Sequence, residues 1–116
     1  MDQALRAVAD PTRRAILRLV HDAELPAGEI AAHFSSMSRP AVSQHLRVLA
    51  DAGLLDVRRD GNRRLYRWQR EGLRDAAAFL DEMWSDHLTR LKAAAEREER
   101  AKPKRVARNT GNAPRP

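Results

Sequence analysis

The chain contains no cysteine in its 116 residues. Disulfides, thiolate metal sites and a thiol nucleophile are therefore excluded, and nothing argues for an oxidising compartment. Glycine is scarce, with five residues and no cluster, so there is no Gly-rich phosphate loop. No apolar run approaches the roughly 20 residues needed to span a bilayer. The opening MDQALRAVAD lacks a basic region followed by an apolar stretch, so it does not read as a signal peptide. The expectation is a cytoplasmic protein with no membrane partner. The length suits one domain with one core.

The formal charge of +6 is unevenly distributed. Residues 1–99 hold 16 basic and 16 acidic residues, and the whole excess lies in Arg100, Lys102, Lys104, Arg105, Arg108 and Arg115. Residues 35–70 carry eight Arg against three Asp, whereas residues 71–99 carry four basic and eight acidic residues. A basic middle beside an acidic final stretch suggests one face for a polyanion and a second face for something else.

The stretch SRPAVSQHLRVL, residues 38–49, reads as an exposed helix with a narrow apolar face. Ser38 is a natural N-cap and Pro40 falls in the first turn, where a missing N–H costs nothing. Val42, Leu46 and Leu49 recur at helical spacing. Arg39, Ser43, Gln44 and Arg47 occupy the other side. Those groups suit base edges: Arg pairs with guanine, Gln with adenine and Ser with either.

Residues before this stretch build its support. Residues 1–8 predict a short helix with Leu5 and Val8 inward. Asp10-Pro11 starts a second helix running to about His21, with Ile16, Leu19 and Val20 buried and Arg13, Arg14 and Arg18 solvated. His21 to Glu24 reads as a loop, and Leu25 as an anchor on the core. AGEIAAHF, residues 27–34, is a short helix with Ile30, Ala31 and Phe34 inward. Two short helices joined by a tight turn, the second offering polar groups, are a helix-turn-helix. The second ends at Ala52, and Gly53 suits the left-handed position beyond it.

LLDVRRDGNRRLYRW then predicts a hairpin, with Leu55, Val57 and Leu65 alternating with charged residues and Tyr66 and Trp68 nearby. Asp60-Gly61 marks its turn. Arg58, Arg59, Arg63 and Arg64, with Asn62 among them, cluster at the tip, within reach of phosphates or a minor groove. A hairpin that follows a helix-turn-helix is a wing. From residue 71 to 99 one long helical pattern carries Leu73, Ala76, Ala77, Leu80, Met83, Trp84, His87, Leu88 and Leu91 on a stripe, flanked by Phe79. Such apolar exposure marks an interface, most simply with the same helix of a second subunit. The short N-terminal helix would pack beside it, which assigns Leu5 and Val8 to dimerisation along with Leu73, Ala77, Leu80, Met83, Trp84, His87, Leu88 and Leu91. Residues 1–99 are thus read as a DNA-binding and dimerisation domain. Residues 100–116, rich in proline and basic groups, are read as a disordered tail.

The four histidines form no close ligand pair, so neither metal nor cofactor is expected. His45, beside Gln44, is placed with the DNA-contacting residues. No nucleophile elbow or other catalytic geometry is present, which excludes an enzyme reading.

ALRAVADPTRRAILRLV, GEIAAHF, SRPAVSQHLRVLADAGLL and VRRDGNRRLYRW together resemble the ArsR-type winged-helix repressors, over about residues 3–92. The resemblance implies a mainly α fold ordered α-α-α-α-β-β-α, a homodimer through the first and last helices, and repression by occlusion of an operator. It places the recognition helix at residues 38–52 and the wing at 55–68. The cysteine motif of metal-sensing members would fall around Pro26-Ala27-Gly28, which offers no ligand. The Asp-x-His site of their last helix is also missing, since Asp86 and His87 are adjacent and Arg97 stands where further ligands are needed. The chain is similar to the branch with no metal site, and its effector is unknown. The sequence leaves open a winged-helix protein-interaction module and a non-specific nucleic-acid binder. The reading taken is a homodimer on double-stranded DNA.

Overall fold

The computed structural model describes residues 1–101 of the chain. Its elements, in order, are α1 (Asp2–Val8), α2 (Pro11–Leu19), β1 (Leu25–Pro26), α3 (Ala27–Ala32), α4 (Arg39–Asp51), β2 (Leu55–Asp60), β3 (Arg63–Trp68), a 3-10 turn (Arg70–Leu73) and α5 (Arg74–Ala101). They fall into two compact units, residues 1–79 and the chain from Leu80 onward. The boundary at residue 99 suggested by composition lies inside α5. Apart from Arg100 and Ala101, which are helical, the basic tail lies outside the described residues.

The first unit is a mainly helical winged helix-turn-helix. Its core is aliphatic: Ile16, Val20, Ile30, Val42, Leu46, Leu49 and Leu54 are almost wholly inaccessible to solvent. Burying each such side chain contributes about 1.5–3 kcal/mol, which holds α2, α3 and α4 against one another. Asp10 caps α2, its Oδ2 accepting the Arg13 N–H at 3.0 Å, and Pro11 opens the helix.

The first helix buries Ala4 and Ala7, not Leu5 and Val8; Leu5 is exposed and Val8 only half-buried. Small side chains on the inner face let its backbone lie close to α2. Arg13 and Arg14 are also not simply solvated. Arg13 Nε and Nη2 donate to the carbonyls of Ala7 at 2.7 Å and Arg6 at 3.2 Å, and Arg14 Nη1 donates to that of Val8 at 2.8 Å. The Ala7 and Val8 carbonyls are among those that a helix leaves without partners at its C-terminus, and that of Arg6 also accepts the Ala9 N–H, so α2 helps to cap α1.

The sheet has three strands in the order β1-β3-β2, all antiparallel. The strand at Leu25–Pro26 is two residues long, too short to show a period, and periodicity alone read Leu25 only as an anchor. It pairs Leu25 with Tyr66 and Pro26 with Leu65. Gly61, at φ +64°, turns the hairpin. In β2 and β3, Leu55 faces Trp68 and Val57 faces Tyr66, so these four share one side of the sheet. Leu55 and Tyr66 are buried on it, but Val57 is exposed. Leu65 is buried on the opposite side, beside β1. The expected alternation therefore holds only at the base of the hairpin: Leu65 is buried beside β1, and nothing among the described residues covers Val57.

The end of α4 is a Schellman motif. Gly53, at φ +78°, donates to Ala50 and Leu54 donates to Leu49, at 3.0 and 2.9 Å. Leu49 and Leu54, the pair that closes this motif, are both fully buried. The last stretch does not begin as one α-helix: the 3-10 turn precedes α5, with Gln69 accepting the Glu71 N–H at its start.

In the second unit α5 presents Leu80, Met83, Trp84, Leu88 and Leu91, all exposed. The Trp84 and His87 rings lie 5.8 Å apart, and Arg90 pairs with Asp86 one turn before it.

Candidate nucleic-acid interface

The site begins with the cap of α4. Ser38 Oγ accepts the Ala41 N–H at 3.2 Å, so its hydroxyl is engaged in starting the helix. Inward burial of Val42, Leu46 and Leu49 then fixes the rotation of α4 and leaves Arg39, Ser43, Gln44 and Arg47 exposed. The preceding turn is closed by the Met37 N–H on the Phe34 carbonyl at 2.9 Å, with both side chains half-buried. That spacing of α3, turn and α4 is the helix-turn-helix. Gly28 of α3 lies beside Arg39: a Cβ placed there would meet Arg39 Nη2 at 3.9 Å, an ordinary contact.

The wing divides its arginines between two faces. Strand register pairs Arg59 with Arg64, on the side that carries Tyr66, and sets Arg58 on the other. Arg59, Asn62, Arg63 and Arg64 line one concave surface together with Arg39 and Ser43 of α4. Its volume is about 780 Å³, and Glu29 is its one acidic group. Arg58 turns away to Glu24, donating through Nε and Nη2 to both carboxylate oxygens at 2.8 Å. The Arg58 hydrogen bonds hold the Glu24 carboxyl below its usual range, and Glu24 in turn raises Arg58. On that same side Arg67 pairs with Asp56 at 3.3 Å.

A pattern of charge results. On the other face of the wing Arg58 pairs with Glu24 and Arg67 with Asp56, and beyond it Arg74 pairs with Glu71 and Arg90 with Asp86, whereas Arg6, Arg14, Arg18 and Arg70 have no carboxylate partner among the described residues. Arg39, Arg47, Arg59 and Arg64 have none among the described residues, and Arg63 meets Asp60 only at 3.5 Å. An unneutralised cluster of guanidinium groups on a helix and an adjoining hairpin is a receptor for a polyanion.

His45 sits apart from its neighbours on α4. Its side chain is about four-fifths buried, and Nδ1 lies 3.1 Å from Arg13 Nη1 and 4.0 Å from Asp10 Oδ2. Sequence reasoning missed Arg13 and Glu24 altogether. Arg13 was signalled faintly by its place three residues after the capping Asp10. Glu24 had no local signal, since its partner is 34 residues away.

Among the predicted dimerisation residues, Leu80, Met83, Trp84, His87, Leu88 and Leu91 are exposed on the second unit, whereas Leu5 and Ala77 are exposed on the first and Val8 and Leu73 are half-buried there. Among the described residues no group of three or more His, Cys, Asp or Glu is placed to hold a metal. No helix there is long and apolar enough to cross a membrane.

The sequence pattern of a helix-turn-helix domain family matches residues 8–58. The chain is 44% identical over 88 residues to the HTH-type transcriptional regulator Rv2034 of Mycobacterium tuberculosis, covering 76% of this chain and 81% of that protein. A solved ArsR family transcriptional regulator, RHA00566, superimposes with a TM-score of 0.67 at 28% identity, over 72% of this chain and 86% of the other. The solved homodimeric winged helix-turn-helix DNA-binding domain Mb0332 of Mycobacterium bovis aligns with a TM-score of 0.57 at 29% identity, over 75% of this chain and 80% of that one. With the fold, the capped exposed helix and the unpaired arginines, these likenesses place the chain in the ArsR family of winged helix-turn-helix DNA-binding transcriptional regulators, which are not enzymes.

Proposed function

We propose that this chain is a homodimeric repressor that binds a pseudo-palindromic operator in double-stranded DNA and occludes it. Each subunit lays α4 in a major groove, with Arg39, Ser43, Gln44 and Arg47 toward base edges. Ser38 and the wing residues Arg59, Asn62, Arg63 and Arg64 hold the flanking backbone or minor groove. Arg58 braces the base of the wing through Glu24. The observation that carries this reading is the lack of carboxylate partners on Arg39, Arg47, Arg59 and Arg64 while the arginines of the opposite wing face are neutralised. Phosphates and guanine edges would supply the missing acceptors.

Pairing is supported by the exposed stripe of Leu80, Met83, Trp84, Leu88 and Leu91. A small protein does not ordinarily leave such a series in water. The homodimeric relative from M. bovis supports the same view. Two-fold symmetry then demands inverted half-sites about 10 bp, or a multiple of that, apart.

Competition binding at physiological salt tests specificity. A selected duplex should be preferred over unrelated DNA by about a thousandfold or more. Equal competition by unrelated DNA would leave only non-specific attraction.

A further inference from the structure

We infer that Arg13, which lies on α2 and outside the groove-facing set, is a positioning residue for DNA binding, because it fixes the proton of His45 on Nε2 and so presents that N–H to a DNA phosphate. The chemistry is one-directional. A guanidinium has five N–H donors and no acceptor. Arg13 Nη1 stands 3.1 Å from His45 Nδ1, so Nδ1 must carry the lone pair, and a neutral ring then holds its proton on Nε2.

The Arg13 side chain is immobilised for this task. Nε and Nη2 are anchored on the carbonyls of Ala7 and Arg6, and Nη1 alone reaches across to α4. Asp10 Oδ2 lies 4.0 Å from the same Nδ1, too far to take a proton from it in a hydrogen bond, and already accepts the Arg13 N–H. Nε2 has no hydrogen-bond partner among the described residues. The ring is otherwise largely buried, next in sequence to exposed Gln44. A donor whose ring is held at one end by a fixed cation and which has no partner at the other is suited to a phosphate oxygen.

This inference rests on the reading that α4 lies against DNA, and two measurements keep them separable. The first needs no DNA. Long-range 1H–15N correlation on 15N-labelled protein, above the pH at which imidazole is protonated, reports which ring nitrogen of His45 carries hydrogen. The Nε2–H form is expected, and Arg13→Leu should release the ring to a mixture of tautomers. A native His45 protonated on Nδ1 would overturn the proposal.

The second measurement is affinity for a duplex selected from random DNA, with the thermal midpoint followed in parallel. His45→Gln places an amide donor near the Nε2 position, whereas His45→Asn places its carbonyl oxygen near Nδ1. His45→Gln should bind within about threefold of the parent, and His45→Asn about tenfold more weakly, as expected for loss of one hydrogen bond to a charged group. The reverse order, or equal binding by both, would reduce His45 to a partner for Arg13 and overturn the proposal. Failure of the unaltered protein to prefer any duplex would count against the DNA-reading assignment instead, and leave the tautomer measurement standing.

Discussion

Gly53 and Gly72 meet backbone to backbone. A Cβ at Gly72 would fall 2.2 Å from the Gly53 carbonyl oxygen and 2.9 Å from Leu54 Cδ2. Gly53 needs its own freedom, because it closes α4 at φ +78°. The end of α4 and the turn that precedes α5 are thus held at a distance that no side chain fits. Gly72→Ala should cost about 1–3 kcal/mol, the range for overpacking, and can be read from the urea midpoint. A variant as stable as the parent would mean that the turn yields without cost.

Arg47→Ala should leave folding intact, since Arg47 is exposed and makes no ion pair among the described residues. It should weaken binding to the selected duplex by about 1–3 kcal/mol and relax preference at one base pair of each half-site. Titration of parent and variant against single-base-substituted duplexes measures both effects. Unchanged preference would put Arg47 outside the groove.

The two faces of the wing should separate in salt dependence. Arg64→Ala is expected to weaken binding to all sequences alike and to lower the slope of log affinity against log salt by about 1 per subunit. Arg58→Ala should leave that slope unchanged, because its guanidinium is turned to Glu24 on the opposite face. A binding isotherm series over salt concentration distinguishes the variants.

The Asp10 cap should give stability a specific pH dependence. The Arg13 N–H, the largest influence on this carboxyl, holds it below its ordinary value of 3.8, with burial opposing and His45 adding a smaller lowering. A carboxyl lowered on folding adds stability at pH above its unfolded value, and that contribution is lost as pH falls through the folded value. Asp10→Ala should therefore cost about 1 kcal/mol at neutral pH. The difference from the parent should shrink below about pH 4. Thermal midpoints of both proteins across pH 2–7 check this.

The exposed stripe of α5 should govern assembly. Trp84→Glu combined with Leu88→Glu would place two carboxylates on that stripe. Sedimentation should then report a monomer where the parent gives a dimer, with far-ultraviolet circular dichroism preserved. A parent that sediments as a monomer at micromolar concentration would remove the pairing.

Much of this was legible in the sequence because it depends on neighbours along the chain. Asp10-Pro11, Ser38 with Pro40, Gly53 and Asp60-Gly61 each satisfy local backbone requirements, and each lies where local rules place it. The exposed side of α4 followed from the spacing of Val42, Leu46 and Leu49. What escaped depends on residues brought together from afar. The β1 strand exists only because Tyr66 and Leu65 offer it an edge. Strand register puts Arg58 on the face away from the cleft, where Glu24, distant in sequence, meets it. The inner face of α1 is alanine because of a close helix contact, and apolar size was a misleading guide to it.

Selection of bound sites from random duplex DNA by the full chain is the decisive test of paired, sequence-specific groove reading. Two inverted copies of one short half-site should be enriched at a fixed spacing of about 10 bp or a multiple, and the enrichment should be lost when Arg39, Gln44 and Arg47 are replaced together by alanine. A pool that emerges unenriched, or enriched equally by the triple variant, would contradict it.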